Sequence, residues 1–86
     1  VDFWAPWCGP CRALAPVTEQ LAKEFSGRLR ICKLNVDENP LASRKYQVAS
    51  IPTMIFFKRG MIADVSVGAL PAQELRRKVD AVLSGN

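Results

Sequence analysis

The chain of 86 residues contains no histidine and only three cysteines. A structural zinc site wants four ligands, usually Cys and His, so one chain cannot assemble such a site by itself. Two of its sulfurs could at most hold a metal adventitiously or across a dimer. Long apolar runs are missing as well. None approaches the ~20 residues that cross a bilayer, and no membrane partner is expected. Low-complexity tracts and internal repeats are also absent, and 49% of the residues are apolar. That composition belongs to an ordinary globular chain with enough apolar surface for one core. A chain of this length has no room for a second core, so residues 1–86 read as a single domain.

Charge of one sign is in short supply too. Twelve Lys and Arg against eight Asp and Glu leave a formal charge of +4, but the bases are scattered and interleaved with acids. No basic stripe carries interleaved aromatics, so nucleic acid is not an expected partner. The one basic cluster, Arg76-Arg77-Lys78, falls on a predicted helix that also bears Glu74 and Asp80. Pairs at i,i+4, Glu74–Lys78 and Arg76–Asp80, account for it as a solvated face.

What the chain does have is concentrated in Val1 to Cys11, Val-Asp-Phe-Trp-Ala-Pro-Trp-Cys-Gly-Pro-Cys. An apolar run, Val1 to Ala5, reads as a strand buried on both faces. Two cysteines three positions apart follow, where a helix pattern begins. At i and i+3 on a first helical turn their sulfurs lie on one face, within bonding reach. A disulfide closing so short a loop restrains the unfolded chain little, which suits a redox couple better than a staple. The first turn has N–H groups without intrahelical partners and the positive end of the helix dipole, and both favour a thiolate at Cys8. Cys11, one turn inward, is expected to be the more buried sulfur. Cys8 then attacks an external disulfide, and Cys11 attacks the mixed disulfide to release the product. Pro10 suits a helix opening, where its missing N–H is no loss, and Gly9 lets a partner's backbone come close.

Trp-Cys-Gly-Pro-Cys preceded by Val-Asp-Phe-Trp-Ala resembles the thioredoxin family. The likeness continues through Lys33-Leu-Asn-Val-Asp37, Ser50-Ile-Pro-Thr53, Phe57-Lys-Arg-Gly60 and Val67-Gly-Ala-Leu70, in the family's order over essentially the whole chain. A lone Cys-x-x-Cys would be weak; five stretches at matching intervals are specific. The resemblance implies an α/β fold, a thioredoxin-like mixed central sheet flanked by helices. Such domains normally carry a further strand and helix before the point where this chain opens, without Met, in mid-strand. The expectation is therefore a thioredoxin domain incomplete at its N-terminus, which is less stable than a complete domain or hides its open sheet edge through a dimer or missing residues.

The implied activity is protein dithiol–disulfide oxidoreduction, with the Cys8–Cys11 disulfide as the redox group and no bound cofactor. Implied partners are disulfide-containing client proteins and an NADPH-dependent thioredoxin reductase. Gly9-Pro10 between the cysteines resembles the reducing members, and a spare thiol at Cys32 sits more safely where disulfides are uncommon. Both favour an intracellular, cytoplasmic location. The alternative is a binding or oxidant-isomerase module of a larger protein, docking a partner around Trp7 and Pro52.

Site residues follow from the same resemblance. Asp2 is implied to be a buried acid beneath the cysteines that takes the proton from Cys11, with Lys33 as its partner. The plain readings are a frayed, exposed chain start for Asp2 and a lysine snorkelling to the surface. Ile51-Pro52 is implied to be a cis bond against the cysteine pair, leaving the preceding backbone free for a substrate peptide; otherwise Pro52 opens the next strand in trans. Trp7 is expected on the partner-binding surface and Trp4 beneath the site, and Gly68 permits close approach near the groove.

Elsewhere the pattern predicts a helix over Pro10–Ser26 with Leu14, Val17, Leu21 and Phe25 inward, bent at Pro16 and stopped by Gly27. Leu29–Val36 reads as a strand holding Cys32 in the core, and Leu41–Tyr46 as a short helix with Asn39 as N-cap and Pro40 first. Thr53–Lys58 and Met61–Val67 form an antiparallel pair around Arg59-Gly60. Pro71–Leu83 makes the last helix, with Leu75, Val79, Val82 and Leu83 inward.

Overall fold

Residues Thr53 to Lys58 are β-branched and aromatic, and they fold back on Met61–Val67 through a loop of two residues. Arg59 (φ 55°) and Gly60 (φ 78°) both take positive φ, the turn whose twist matches that of paired strands. The computed structural model, which describes residues 1–85, orders the elements as β1 (Asp2–Trp4), α1 (Gly9–Glu24), β2 (Lys33–Asn35), α2 (Pro40–Lys45), β3 (Thr53–Lys58), β4 (Met61–Val67) and α3 (Ala72–Ser84). The sheet order is β2-β1-β3-β4, with β1 parallel to β2 and antiparallel to β3. Pairing of Phe56 with Asp64 and of Phe57 with Ile62 leaves Ala63 as the extra residue of a bulge.

Alternation divides the sheet into two faces. Met54 and Phe56 point to the face where Leu14, Leu21 and Phe25 of α1 and Leu75 and Val79 of α3 close the main core. The opposite face, with Phe3 and Phe57, is covered by Tyr46 at the end of α2, whose ring meets both edge-on at 6.1 and 5.6 Å. Helix α1 runs through Pro16 without interruption. The expected inward positions hold for Leu14, Leu21 and Phe25, while Val17 is half-buried. Thr18 joins them, its hydroxyl donating to Ala15 O at 2.9 Å.

Several expectations are corrected. The strand read over Leu29–Val36 is only Lys33–Asn35. A strand exists where a neighbour completes its ladder, and β1 offers pairing partners no earlier than this; Asp2 N–H donating to Cys32 O and Val36 N–H to Trp4 O mark its two ends. Leu29 and Ile31 still turn their side chains onto the main core. Cys32 alternates to the other side and is exposed, not a core residue. Asn39 makes no side-chain cap; its amide donates to Asn35 O instead.

The charged face of α3 is tied differently as well. Arg76 reaches Glu24 of α1 at 2.7 Å and Lys78 reaches Asp64 of β4 at 3.1 Å, while Arg77 pairs with Glu74 at i,i+3. The neighbouring elements bring acids closer than the helix's own next turn does. Lys58 Nζ donates to the carbonyls of Val82 and Gly85, where the C-terminal end of α3 has carbonyls to satisfy. A cavity of about 440 Å³ opens between the Arg28–Ile31 segment and β3, floored by Leu21, Leu75 and Val79.

Candidate active site

The cysteine pair stands where β1 hands over to α1. Cys8 is the N-cap in extended conformation, and Gly9 and Pro10 are the first two helical residues. Cys8 Sγ accepts the N–H of Cys11 at 3.1 Å, one of the donors a helix start leaves unpaired. The two cysteines form a disulfide, with Cα atoms 5.2 Å apart. Helical spacing alone therefore suffices to bring the sulfurs together.

The expected asymmetry in burial is absent. Cys8 is 4% exposed and Cys11 5%, because both sulfurs are locked in one bond and covered together. With Ala5 they form a small apolar cluster, packed by Trp4, Val36 and Ile51. What distinguishes the sulfurs is the helix: Cys8 Sγ receives a backbone N–H, and no comparable donor to Cys11 Sγ appears among the described residues.

The loops around the disulfide come from distant parts of the chain. The Ile51–Pro52 peptide is cis, and Pro52 is among the most fully buried side chains. Ile51 packs on the disulfide cluster, and its carbonyl oxygen lies 3.9 Å from Cys8 Sγ. In the disulfide that sulfur has no proton to donate, so this is a contact. Thr53 Oγ1 donates to Ser50 O at 2.5 Å, which closes the turn before Pro52. Gly68 N–H donates to Pro52 O at 2.8 Å, and Gly68 has φ 95°, a conformation that glycine reaches without strain. Gly9 and Pro10 are exposed, and a Cβ on Gly9 would meet nothing within 4 Å. The surface above the disulfide is open.

Asp2 is buried at 2% exposure, against the reading of a frayed chain start. It shares a sheet row with Met54 and Lys33, on the face that α1 covers. Its Oδ1 has no hydrogen-bond partner. Burial pushes the Asp2 carboxyl above its ordinary value, opposed by the charges of Lys33 and the chain's amino terminus. Lys33 is exposed, and no salt bridge joins it to Asp2 among the described residues. Its ammonium lies 5.8 Å over the Trp4 ring, so it acts on Asp2 through the field of a neighbouring strand and not through contact.

Trp7 is 67% exposed beside the disulfide. Its Nε1–H donates to Asp37 Oδ2 at 2.9 Å, and Arg12 donates to Pro6 O at 2.9 Å. The sequence pattern assigned no role to Asp37. Asp37 stands 30 residues from Trp7, and no local pattern connects them. The nearest signal was an acid directly after the β2 pattern.

No helix among the described residues is long and apolar enough to cross a membrane, and no group of His, Cys, Asp or Glu there could hold a metal ion. The 440 Å³ cavity is lined by neither cysteine. The Cys8–Cys11 disulfide therefore lies away from that cavity, nearly buried beneath the exposed Gly9 and Pro10.

Comparison with known proteins agrees. A thioredoxin family model matches residues 1–81. Over 80 residues the chain is 52% identical to "Thioredoxin M-type, chloroplastic" of Pisum sativum, which spans 93% of this chain and 46% of that protein. It is 54% identical over 80 residues to a thioredoxin of Chlorobaculum thiosulfatiphilum, covering 93% and 74%, and 46% identical to thioredoxin 1 of Nostoc sp., covering 93% and 75%. The chain thus spans about half the length of the chloroplastic relative and about three quarters of the bacterial ones. A disulfide at a helix N-terminus, a buried carboxylate on the adjoining strand and a matching family model over nearly the whole length lead to one assignment: the chain belongs to the thioredoxin family.

Proposed function

We propose that the chain is a protein dithiol–disulfide oxidoreductase that reduces disulfides in client proteins. The observation that carries this reading is Cys8 Sγ, the N-cap of α1, accepting the Cys11 N–H while bonded to Cys11 Sγ. Once the pair is reduced, the same N–H and the helix dipole favour negative charge on Cys8. The Cys8 thiolate attacks one sulfur of the client disulfide. A Cys8–client bond forms, the client S–S bond breaks, and the other client sulfur leaves as a thiolate that takes up a proton. Cys11 gives up its proton and attacks Cys8 Sγ, which re-forms the Cys8–Cys11 bond and expels the second client sulfur as a thiolate, which takes up the proton that Cys11 released. Two electrons and two protons have then passed to the client.

Asp2 is the proposed acceptor of the Cys11 proton. Its raised proton affinity, unpaired Oδ1 and place under α1 support that role, and Lys33 tunes it through space. Trp7, Gly9, Pro10, Ile51, Pro52 and Gly68 make up the proposed client-binding surface, with the backbone before Pro52 pairing with an extended client segment. No bound cofactor takes part. The proposed electron donor is an NADPH-dependent thioredoxin reductase, in a cytoplasmic setting. The name of the Pisum sativum relative favours a second setting, a chloroplast, where the same exchange would draw on another donor.

Reduction of insulin disulfides tests the chemistry. Wild type should turn over and Cys8→Ser should not; equal turnover in the two removes Cys8 as nucleophile. A redox titration of the couple then separates a reductant from an oxidant or isomerase module.

A further inference from the structure

The tryptophan next to Cys8 is held by a side chain from the loop that follows the sheet's edge strand. Trp7 is two-thirds exposed, and a ring so placed would ordinarily sample several rotamers. Its one polar handle, Nε1–H, is taken by Asp37. A carboxylate acceptor makes that bond stronger than a neutral one.

Asp37 is itself fixed. It follows β2 by two residues, and Asn35, the last residue of that strand, accepts the Asp37 N–H on its side-chain oxygen at 2.9 Å. The Asn35 carbonyl accepts both the backbone N–H and the side-chain amide of Asn39, each at 3.1 Å. The segment from Asn35 to Asn39 is thus closed on itself. Val36 ties it to the active end, donating to Trp4 O at 2.9 Å and packing on the disulfide cluster. On the other flank of the same loop Arg12 holds Pro6 O. Trp7 therefore lies between two anchors, and only one of them reaches its side chain.

We propose that Asp37 is a positioning residue for client binding: it pre-orients the Trp7 indole as a docking plate for the client polypeptide beside the disulfide. This rests on the oxidoreductase reading above. Fixing an aromatic ring before binding removes the ordering cost from the association step. Asp37 touches no sulfur among the described residues, so its effect falls on recognition of an extended client and not on the exchange of sulfurs. A small aromatic disulfide, which does not span the ring and the Pro52 loop together, does not draw on it.

The test uses the 86-residue chain with three readouts on wild type, Asp37→Ala and Asp37→Asn. These are KM and kcat for insulin with dithiothreitol as reductant, the rate with 5,5′-dithiobis(2-nitrobenzoate), and the NMR resonance and hydrogen exchange of the Trp7 indole N–H. The expected result for Asp37→Ala is an insulin KM raised about three- to tenfold, with kcat and the small-disulfide rate within about twofold of wild type. Its indole N–H should shift and exchange faster. Asp37→Asn, whose side-chain oxygen can still accept the bond, restores both KM and resonance. An unchanged KM overturns the proposal, and so does a raised KM with an unmoved indole signal. If Asn behaves like Ala, charge and not the bond is at work, and the proposal fails. A wild type that does not reduce insulin removes the oxidoreductase reading and this proposal together; a working wild type matched by Asp37→Ala removes this one alone.

Discussion

Helix α1 carries two apolar clusters that differ in how they are built. From its second turn to its C-cap, Leu14, Leu21 and Phe25 join Met54, Phe56, Leu75 and Val79 in the main core. These are large side chains in helical and strand periodicity, and they do nothing but pack. At its N-terminus, Ala5, Cys8 and Cys11 form a small cluster rimmed by Trp4, Val36 and Ile51. Every member there sits at the end of an element or in a loop. The difference teaches a division of labour: the helix is anchored at one end by buried area, and the reactive end is shaped by backbone hydrogen bonds and short loops. Reactivity is therefore separable from stability to a large degree.

The largest separation is expected from Cys8→Ser. Client reduction is lost entirely, whereas the loop-entropy account of so small a ring limits the stability loss to about 2 kcal/mol. Cys11→Ser should instead stall at the Cys8–client bond, visible as a mass increment equal to one client chain. If Cys8→Ser unfolds the protein, the reactive end is also a structural staple and the contrast is wrong.

Leu75→Ala probes the other end. Leu75 is fully buried in the main core, and its truncation should cost about 2–5 kcal/mol in urea unfolding. The reduction potential of the Cys8–Cys11 couple should stay where it is in wild type, since distant sites act independently. A shifted potential would mean that packing at the far end sets the redox poise.

Asp2 is the place where the two ends meet, because it is buried in the sheet and is the proposed proton acceptor for the cysteine pair. Its proton affinity is raised by burial, so the folded state binds a proton that the unfolded chain has already lost. The ionised group then costs stability at neutral pH, and the cost fades as pH falls toward the ordinary carboxylate value. Asp2→Asn should stabilise at pH 7 by roughly 1–3 kcal/mol and by little at pH 3. The same variant should slow release of the mixed disulfide by about 10²-fold, the lower end of what a positioned base contributes. A pH-independent stability difference, or unslowed release, would show that this carboxylate is not the proton acceptor.

The smallest effect belongs to Arg76→Ala. The Arg76–Glu24 bridge joins α3 to α1 across the surface, and exposed ion pairs contribute little. Thermal unfolding should barely move, and less still in high salt; a large drop would make that bridge part of the core's support.

Much of this was legible before any coordinates, and the exceptions have a common cause. The β3–β4 hairpin and both long helices follow from local pattern and from Arg59-Gly60. The Leu29–Val36 run has the composition of a strand, yet it forms one only where β1 lies beside it. Cys32 looked like a core residue by type, and its exposure depends on which side of an edge strand it faces. The ion pairs expected within α3 gave way to acids on α1 and β4, which a helix-by-helix reading could not see.

The sequence by itself determined the redox couple, because two cysteines at i and i+3 with Pro10 between them meet wherever a helix begins. It also determined the order of elements, which rests on periodicity and turn residues. Only the tertiary structure decided what surrounds the couple: Asp37 on Trp7, Ile51 against Cys8, and Asp2 buried in a row with Lys33. Those partners lie about 30 to 45 residues apart in the chain. Contacts over such separations follow from how the sheet orders its strands, not from any spacing a single segment can display.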